Sequence, residues 1–211
     1  MSLVTAVLTQ NECSVVSDGR ISSPDGAIYY EAFKKFRVFD DRFIILGGGY
    51  QDPLIEFWHN LENTTLPLSW RTIEEYLRTY MTKTVRYYVL NHGDAGAGPV
   101  ATIVLAGIND DGKIAAHAFT NDGYGMYDKQ FLEPDPGKVT VIACPPPEYP
   151  NAQQLLVRNL HQLGPQHYLD AQINTQLTVA ETAFSVNAKS FGAILTKDGT
   201  LQEIERGQIA I

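Results

Sequence analysis

"SVVSDGR", Ser14 to Arg20, is an apolar, β-branched run that stops on Asp-Gly-Arg. Such a run reads as a strand, and Asp-Gly is a common turn pair, so the strand ends on a carboxylate. Upstream, "LVTAVLT" (Leu3 to Thr9) has the same character, and the polar "QNE" between them suits a tight hairpin. After Pro24-Asp25-Gly26, "AFKKFRVF" (Ala32 to Phe39) and "RFIILGG" (Arg42 to Gly48) read as a second hairpin turning on Asp40-Asp41. Four strands therefore come first.

The period then changes. From Pro53 to Leu61 and from Thr72 to Leu90, apolar residues recur at helical spacing; Thr72 with Glu75 fits a capping box, and Asn91 to Gly98 is a Gly-rich stop. Strand signals return in "VATIVLAGI" (Val100 to Ile108), "KIAAHAFT" (Lys113 to Thr120) and "KVTVIAC" (Lys138 to Cys144), followed by helical patterns over Asn151 to Leu163 and Thr178 to Lys189. The chain closes with "FGAILTK", a turn at Asp198-Gly199, and "LQEIE". Runs of strands and helices segregated in this way imply an α+β fold rather than a doubly wound parallel sheet. No linker, repeat or low-complexity tract divides the chain, so residues 1–211 are expected to form one domain.

Composition narrows the function classes. With 44% hydrophobic and 19% charged residues in 211, the chain is an ordinary globular sequence with enough length for a substantial core. The net charge of -8, with no basic cluster longer than Lys34-Lys35, argues against nucleic acid as a partner. No apolar run has the length of a membrane span and "MSLVTAV" lacks the pattern of a secretion signal, so the expected compartment is the cytosol. Cys13 and Cys144 have neither metal nor disulfide spacing and read as reduced core residues. His59, His92, His117, His161 and His167 form no HExxH motif, and no cofactor is indicated. Trp58, Trp70 and Tyr87-Tyr88 read as core or subunit-interface aromatics. The loop "CPPPEYP", Cys144 to Pro150, reads either as an entrance or subunit contact or as a rigid exposed loop.

The chain start holds candidate chemistry. If Met1 is removed, Ser2 carries both a hydroxyl and a free α-amine, whose ordinary pKa of about 7.7 to 8.0 lets one residue supply nucleophile and base. Such a site also needs a fixed cation and backbone NH groups for the developing oxyanion, and Lys34-Lys35 and Gly47-Gly48-Gly49 offer both.

"MSLVTAVLTQNE", "VVSDGR", "AFKKFRVF" and "FIILGGGYQD", in this order and nearly this spacing, resemble proteasome β-type subunits and their bacterial relatives, including the simpler self-compartmentalising proteases and the ancestral β-subunit (Anbu) group. The motifs cover the first 60 residues, and the later element order is compatible with the same family. The resemblance implies a four-layer α-β-β-α sandwich of the N-terminal nucleophile hydrolase type. It also implies a homo-oligomeric ring, a peptide or unfolded-protein substrate, and an unfoldase partner of unknown identity. By the family pattern Asp18 lies sixteen residues beyond the nucleophile Ser2 and orients a catalytic lysine. The motif of two lysines before an apolar residue selects Lys35, ahead of Phe36, whereas an ungapped count from Asp18 selects Lys34. Lys35 is preferred, because the Pro24-Asp25-Gly26 turn can absorb one extra residue and the Asp40-Asp41 turn one fewer. Gly-Gly-x-x-Asp matches Gly48 to Asp52, which makes the Gly48 NH the oxyanion donor and puts Tyr50, with Ile21 and Leu46, on the substrate side.

Three positions depart from the pattern. Serine replaces the usual threonine at residue 2, losing the methyl that restrains its rotamer. Cys144-Pro145-Pro146-Pro147 stands where the family has Ser-Gly-Gly. In Asn187-Ala188-Lys189-Ser190-Phe191-Gly192, Ser190 matches the second helper motif but Asn187 replaces its acid. A non-catalytic ring-forming or binding protein and a small-molecule amidase are the competing readings.

Overall fold

The computed structural model describes residues 2–23, 26–65, 67–92, 101–121 and 126–207. The opening hairpin forms as β1 (Val4–Leu8) and β2 (Glu12–Asp18), in which every residue but Glu12 is buried. Next come β3 (Ile21–Ser22) and β4 (Ile28–Tyr30), then the second hairpin, β5 (Phe36–Phe39) and β6 (Phe43–Gly49). Asp40 and Asp41 both take positive φ, 51° and 48°, the conformation a two-residue hairpin turn requires and aspartate tolerates. Helices α1 (Gln51–Glu62), α2 (Trp70–Tyr76) and α3 (Thr82–His92) follow, the last two joined by a π-helical turn over Leu77–Met81. Strands β7 (Ala101–Ile108), β8 (Ile114–Asn121), β9 (Met126–Leu132) and β10 (Thr140–Cys144) lead to α4 (Ala152–Leu163), α5 (Tyr168–Ala180), β11 (Ser190–Thr196) and β12 (Leu201–Arg206).

The strands assemble as two five-stranded sheets, β10-β1-β2-β11-β12 and β5-β6-β7-β8-β9, and a two-stranded sheet β3-β4. All pairings among them are antiparallel. One apolar cluster joins the two larger sheets, with Val4, Val15, Phe36, Leu46, Val104 and Phe191 among its members. A second lies where α1 to α3 meet the β5–β9 sheet, through Phe57, Trp58, Ile73, Leu77 and Phe119. Two smaller clusters lie under α4 and α5.

The expected four-layer α-β-β-α sandwich is corrected by the sheet count: the described chain is mostly antiparallel sheet, twelve strands in three sheets. Two elements make the difference. The stretch between Asp18 and the second hairpin folds as its own small sheet, leaving Ile28, Tyr29 and Tyr30 exposed, and β9 adds an edge strand whose mixed residues show no clean alternation. The last helix also sits earlier than expected: α5 covers Tyr168–Ala180, while most of Thr178 to Lys189 is outside any helix. The capping box exists one turn upstream of the expected one, with Ser69 as N-cap and Thr72 answering it. Asp110, from the β7–β8 turn, also accepts from the Trp70 and Arg71 backbone NH groups at the same helix start. Part of the expected Gly-rich stop at Asn91 to Gly98, and Pro24-Asp25 of the first turn, lie outside the described residues.

Candidate active site

Strand β2 runs between β1 and β11, so its last residue, Asp18, meets the chain start on one side and Ser190 on the other. The Asp18 NH donates to the Leu3 carbonyl at 3.2 Å, and the Leu3 NH returns a bond to Asp18 Oδ1 at 2.9 Å. Ser2, half-buried, is the residue next along the chain. Asp18 Oδ2 accepts from the Arg20 NH at 2.9 Å and from Lys35 Nζ at 2.6 Å. With the Asp18 side chain 0% and Lys35 4% exposed, this is a buried ion pair whose carboxylate is saturated by donors.

The strand thus stops on a carboxylate that ties the chain start to a lysine just ahead of β5 in the other large sheet. The geometry separates the two lysines. Lys34 is half-buried and pairs with Glu203 at 2.9 Å, whereas Lys35, the residue before β5, turns inward onto Asp18. Burial pushes the Lys35 ammonium below its ordinary range, the Asp18 charge pulling the other way.

The Lys35 carbonyl accepts from the Gly47 NH at 3.0 Å, which sets the glycine run beside the lysine. A Cβ on Gly47 would stand 2.5 Å from Leu54 of α1; one on Gly48 would meet nothing within 4 Å. Gly47 is therefore a packing glycine, and Gly48 borders open space.

Ser190 is buried and its hydroxyl has no hydrogen-bond partner among the described residues; the same holds for Ser17 in β2. Asn187 is engaged at both ends of its amide: Oδ1 accepts from the Gly19 NH at 2.9 Å, and Nδ2 donates to the Glu31 carbonyl at 2.8 Å and to the Glu31 carboxylate. Glu31 pairs in turn with Arg20 at 3.0 Å, and Arg20 Nη1 donates to the Phe184 carbonyl at 2.6 Å. Asp18, Lys35, Ser190 and the residue beside Ser2 are thus brought together. The substrate-side expectations are spread more widely. Ile21 is half-buried on β3, Tyr50 is the N-cap of α1 and packs on the helix-side core, and Leu46 is fully buried between the sheets, with no surface to offer a ligand.

Sequence reasoning missed Glu31 and gave Arg20 no partner. Nothing local marks Glu31, since its partners lie 11 and 156 residues away. The cysteines sit apart from this chemistry: burial raises the Cys13 thiol to about 12 and Cys144 to about 11, which holds both protonated. His117 is likewise committed elsewhere, its Nδ1 paired with Glu74 at 2.5 Å. The Cys144 to Pro150 loop is fastened to the β11 approach by a Ser185 to Glu148 hydrogen bond of 3.2 Å. Among the described residues no group of three or more His, Cys, Asp or Glu is placed to hold a metal ion, and no helix is long and apolar enough to cross a membrane.

No family model and no curated protein matches the sequence. Solved structures do. The Anbu (ancestral beta-subunit) protein from Yersinia bercovieri superposes with a TM-score of 0.68 over 99% of this chain and 88% of its own, at 11% identity. An Anbu (Gly-1) mutant from Hyphomicrobium sp. strain MC1 gives the same values. These neighbours correct the resemblance to proteasome β-type subunits: Anbu is a proteasome-related but distinct family. At 11% identity what is shared is the fold.

Proposed function

We propose that this protein is an N-terminal-nucleophile amide hydrolase that cleaves peptide bonds with Ser2 once the Ser2 amine is free. The observation that supports it most is the Asp18 carboxylate, which holds the Leu3 NH and Lys35 Nζ together in a buried site. Ser2 Oγ attacks the amide carbonyl and passes its proton to the Ser2 amine; the oxyanion is held at the end of the glycine run, beyond the Gly48 NH that the β6–β7 ladder pairs with Thr102. Collapse breaks the C–N bond, the ammonium proton goes to the leaving amine, and an ester on Ser2 remains. Water then attacks that ester with the same amine as base, and the carboxylic acid departs. The Lys35 charge favours the neutral amine and the alkoxide-like transition state. Ser190, opposite Asp18 in register and with no partner for its hydroxyl among the described residues, positions the amine.

We also infer assembly into a homo-oligomer. Ile28, Tyr29 and Tyr30 on the small β3–β4 sheet form a run of exposed apolar side chains, 50 to 65% accessible, of the kind subunit contacts cover. A non-catalytic ring or binding protein is the second reading, favoured by Asn187, whose amide is spent on Gly19 and Glu31 and brings no acid to the amine.

The test is hydrolysis of fluorogenic peptide amides and of an unfolded protein. The hydrolase reading expects turnover that Ser2→Ala abolishes and Lys35→Met lowers by about 10²–10³-fold. Cleavage of short amides alone would make it a small-molecule amidase. No turnover in a protein with a free Ser2 amine would favour the binding protein.

A further inference from the structure

We propose that Glu31 is a positioning residue for the Asp18–Lys35 pair, acting through Asn187 and Arg20 at the end of β2. The inference rests on the hydrolase reading for its functional meaning, but its structural content stands apart from it.

The wiring is specific. Gly19 and Arg20, the two residues after Asp18, are each held by groups that converge on Glu31. The Gly19 NH reaches Asn187 Oδ1, and Asn187 Nδ2 reaches both the carbonyl and the carboxylate of Glu31. Arg20 Nε reaches the same carboxylate at 3.1 Å, while its backbone NH is one of the three donors on Asp18. Phe33, two residues past Glu31, donates its NH to the Gly19 carbonyl at 2.8 Å. The peptide that aims the Asp18 carboxylate is therefore clamped from both sides.

The chemistry of residue 187 follows from its neighbour. Its side chain must accept from Gly19 and donate to Glu31 at once, which an amide does and a carboxylate does not. An aspartate at this position would set two carboxylates against each other in a site where Asn187 is buried. Asn187 and Glu31 are a matched pair.

Glu31 also acts on charge. The groups that bear on Lys35 are Asp18 and Glu31, which raise its pKa, and Arg20, which lowers it. Asn187 and Ser190 are neutral. Removing the Glu31 charge takes away one of the contributions that offset burial and Arg20 and moves Lys35 further down.

The test compares Glu31→Gln, Asn187→Asp and the double variant in the full chain, with two readouts that need no substrate. One is the titration of Lys35 followed by NMR of ¹³C-labelled lysine. The other is hydrogen exchange at the Gly19 amide. Glu31→Gln should move the Lys35 titration to lower pH. Asn187→Asp should speed Gly19 exchange about fivefold, because repulsion from the Glu31 carboxylate draws the new carboxylate off the Gly19 NH, and the double variant should restore protection because the amide introduced at position 31 can donate to the carboxylate introduced at position 187. A Lys35 titration unmoved by Glu31→Gln, or equal exchange in Asn187→Asp and the double variant, would overturn the proposal. Should Asn187→Asp fail to fold, Glu31→Gln alone decides. Both readouts repeat in a Ser2→Ala background, so the clamp is judged even if the protein proves not to hydrolyse amides.

Discussion

Asp18 and Lys35 lie 2.6 Å apart with almost no exposure, so each charge is tolerable only because the other is there. Lys35→Met leaves a buried carboxylate unpaired, and Asp18→Asn a buried ammonium; each should cost roughly 3–5 kcal/mol in urea unfolding. The double variant should cost far less than the sum. A sum of independent losses would mean that the pair is not coupled in solution. The pH dependence has a definite sign. Burial sets the folded pKa of Lys35 below its ordinary 10.5, so between the two values the unfolded chain binds more protons than the folded one. Stability relative to the double variant should therefore rise with pH through that window and carry the full burial penalty below it.

At the scale of elements, the glycine run separates structure from chemistry. Gly47→Ala would push a methyl into Leu54 and should destabilise by about 1–3 kcal/mol, because α1 packs against that strand. Gly48→Ala faces open space and should fold with close to native stability, yet slow acylation of Ser2 by crowding the oxyanion. Urea midpoints and acylation rates on the two variants check this, and equal effects on both would remove the distinction. The same contrast explains what could be read in advance. The hairpins were legible because their apolar β-branched runs are bracketed by turn residues at Asp40-Asp41 and Asp198-Gly199. Helix α5 was not, because it buries Gln172, Thr175 and Gln176, and its Gln172 bonds Ser14 and Thr5 on the sheet. A helix that packs through amides carries no apolar period to detect. Of the candidate site, Asp18 and Lys35 came from the family resemblance, since an ungapped count from Asp18 points to Lys34 and only the two-lysine motif points to Lys35. The Glu31 clamp was not, since a hydrogen bond across 156 residues leaves no local pattern.

At the scale of the molecule, the two large sheets meet through a shared apolar core, and Asp18 and Lys35 bridge them at the strand ends. A site built across two sheets depends on how they pack, so the proposed activity should fall with global stability. The exposed Ile28-Tyr29-Tyr30 surface suits contact between copies. Tyr29→Glu with Tyr30→Glu should lower the mass measured by light scattering if these residues sit in the contact, and an unchanged multiple of the chain mass would move the interface elsewhere. The most direct test of the central claim is intact mass of the protein before and after an N-terminal-serine-directed peptide epoxyketone. The account predicts loss of Met1 and one adduct, absent in Ser2→Ala and slowed in Lys35→Met. Protein with a free Ser2 amine that takes no adduct would contradict it.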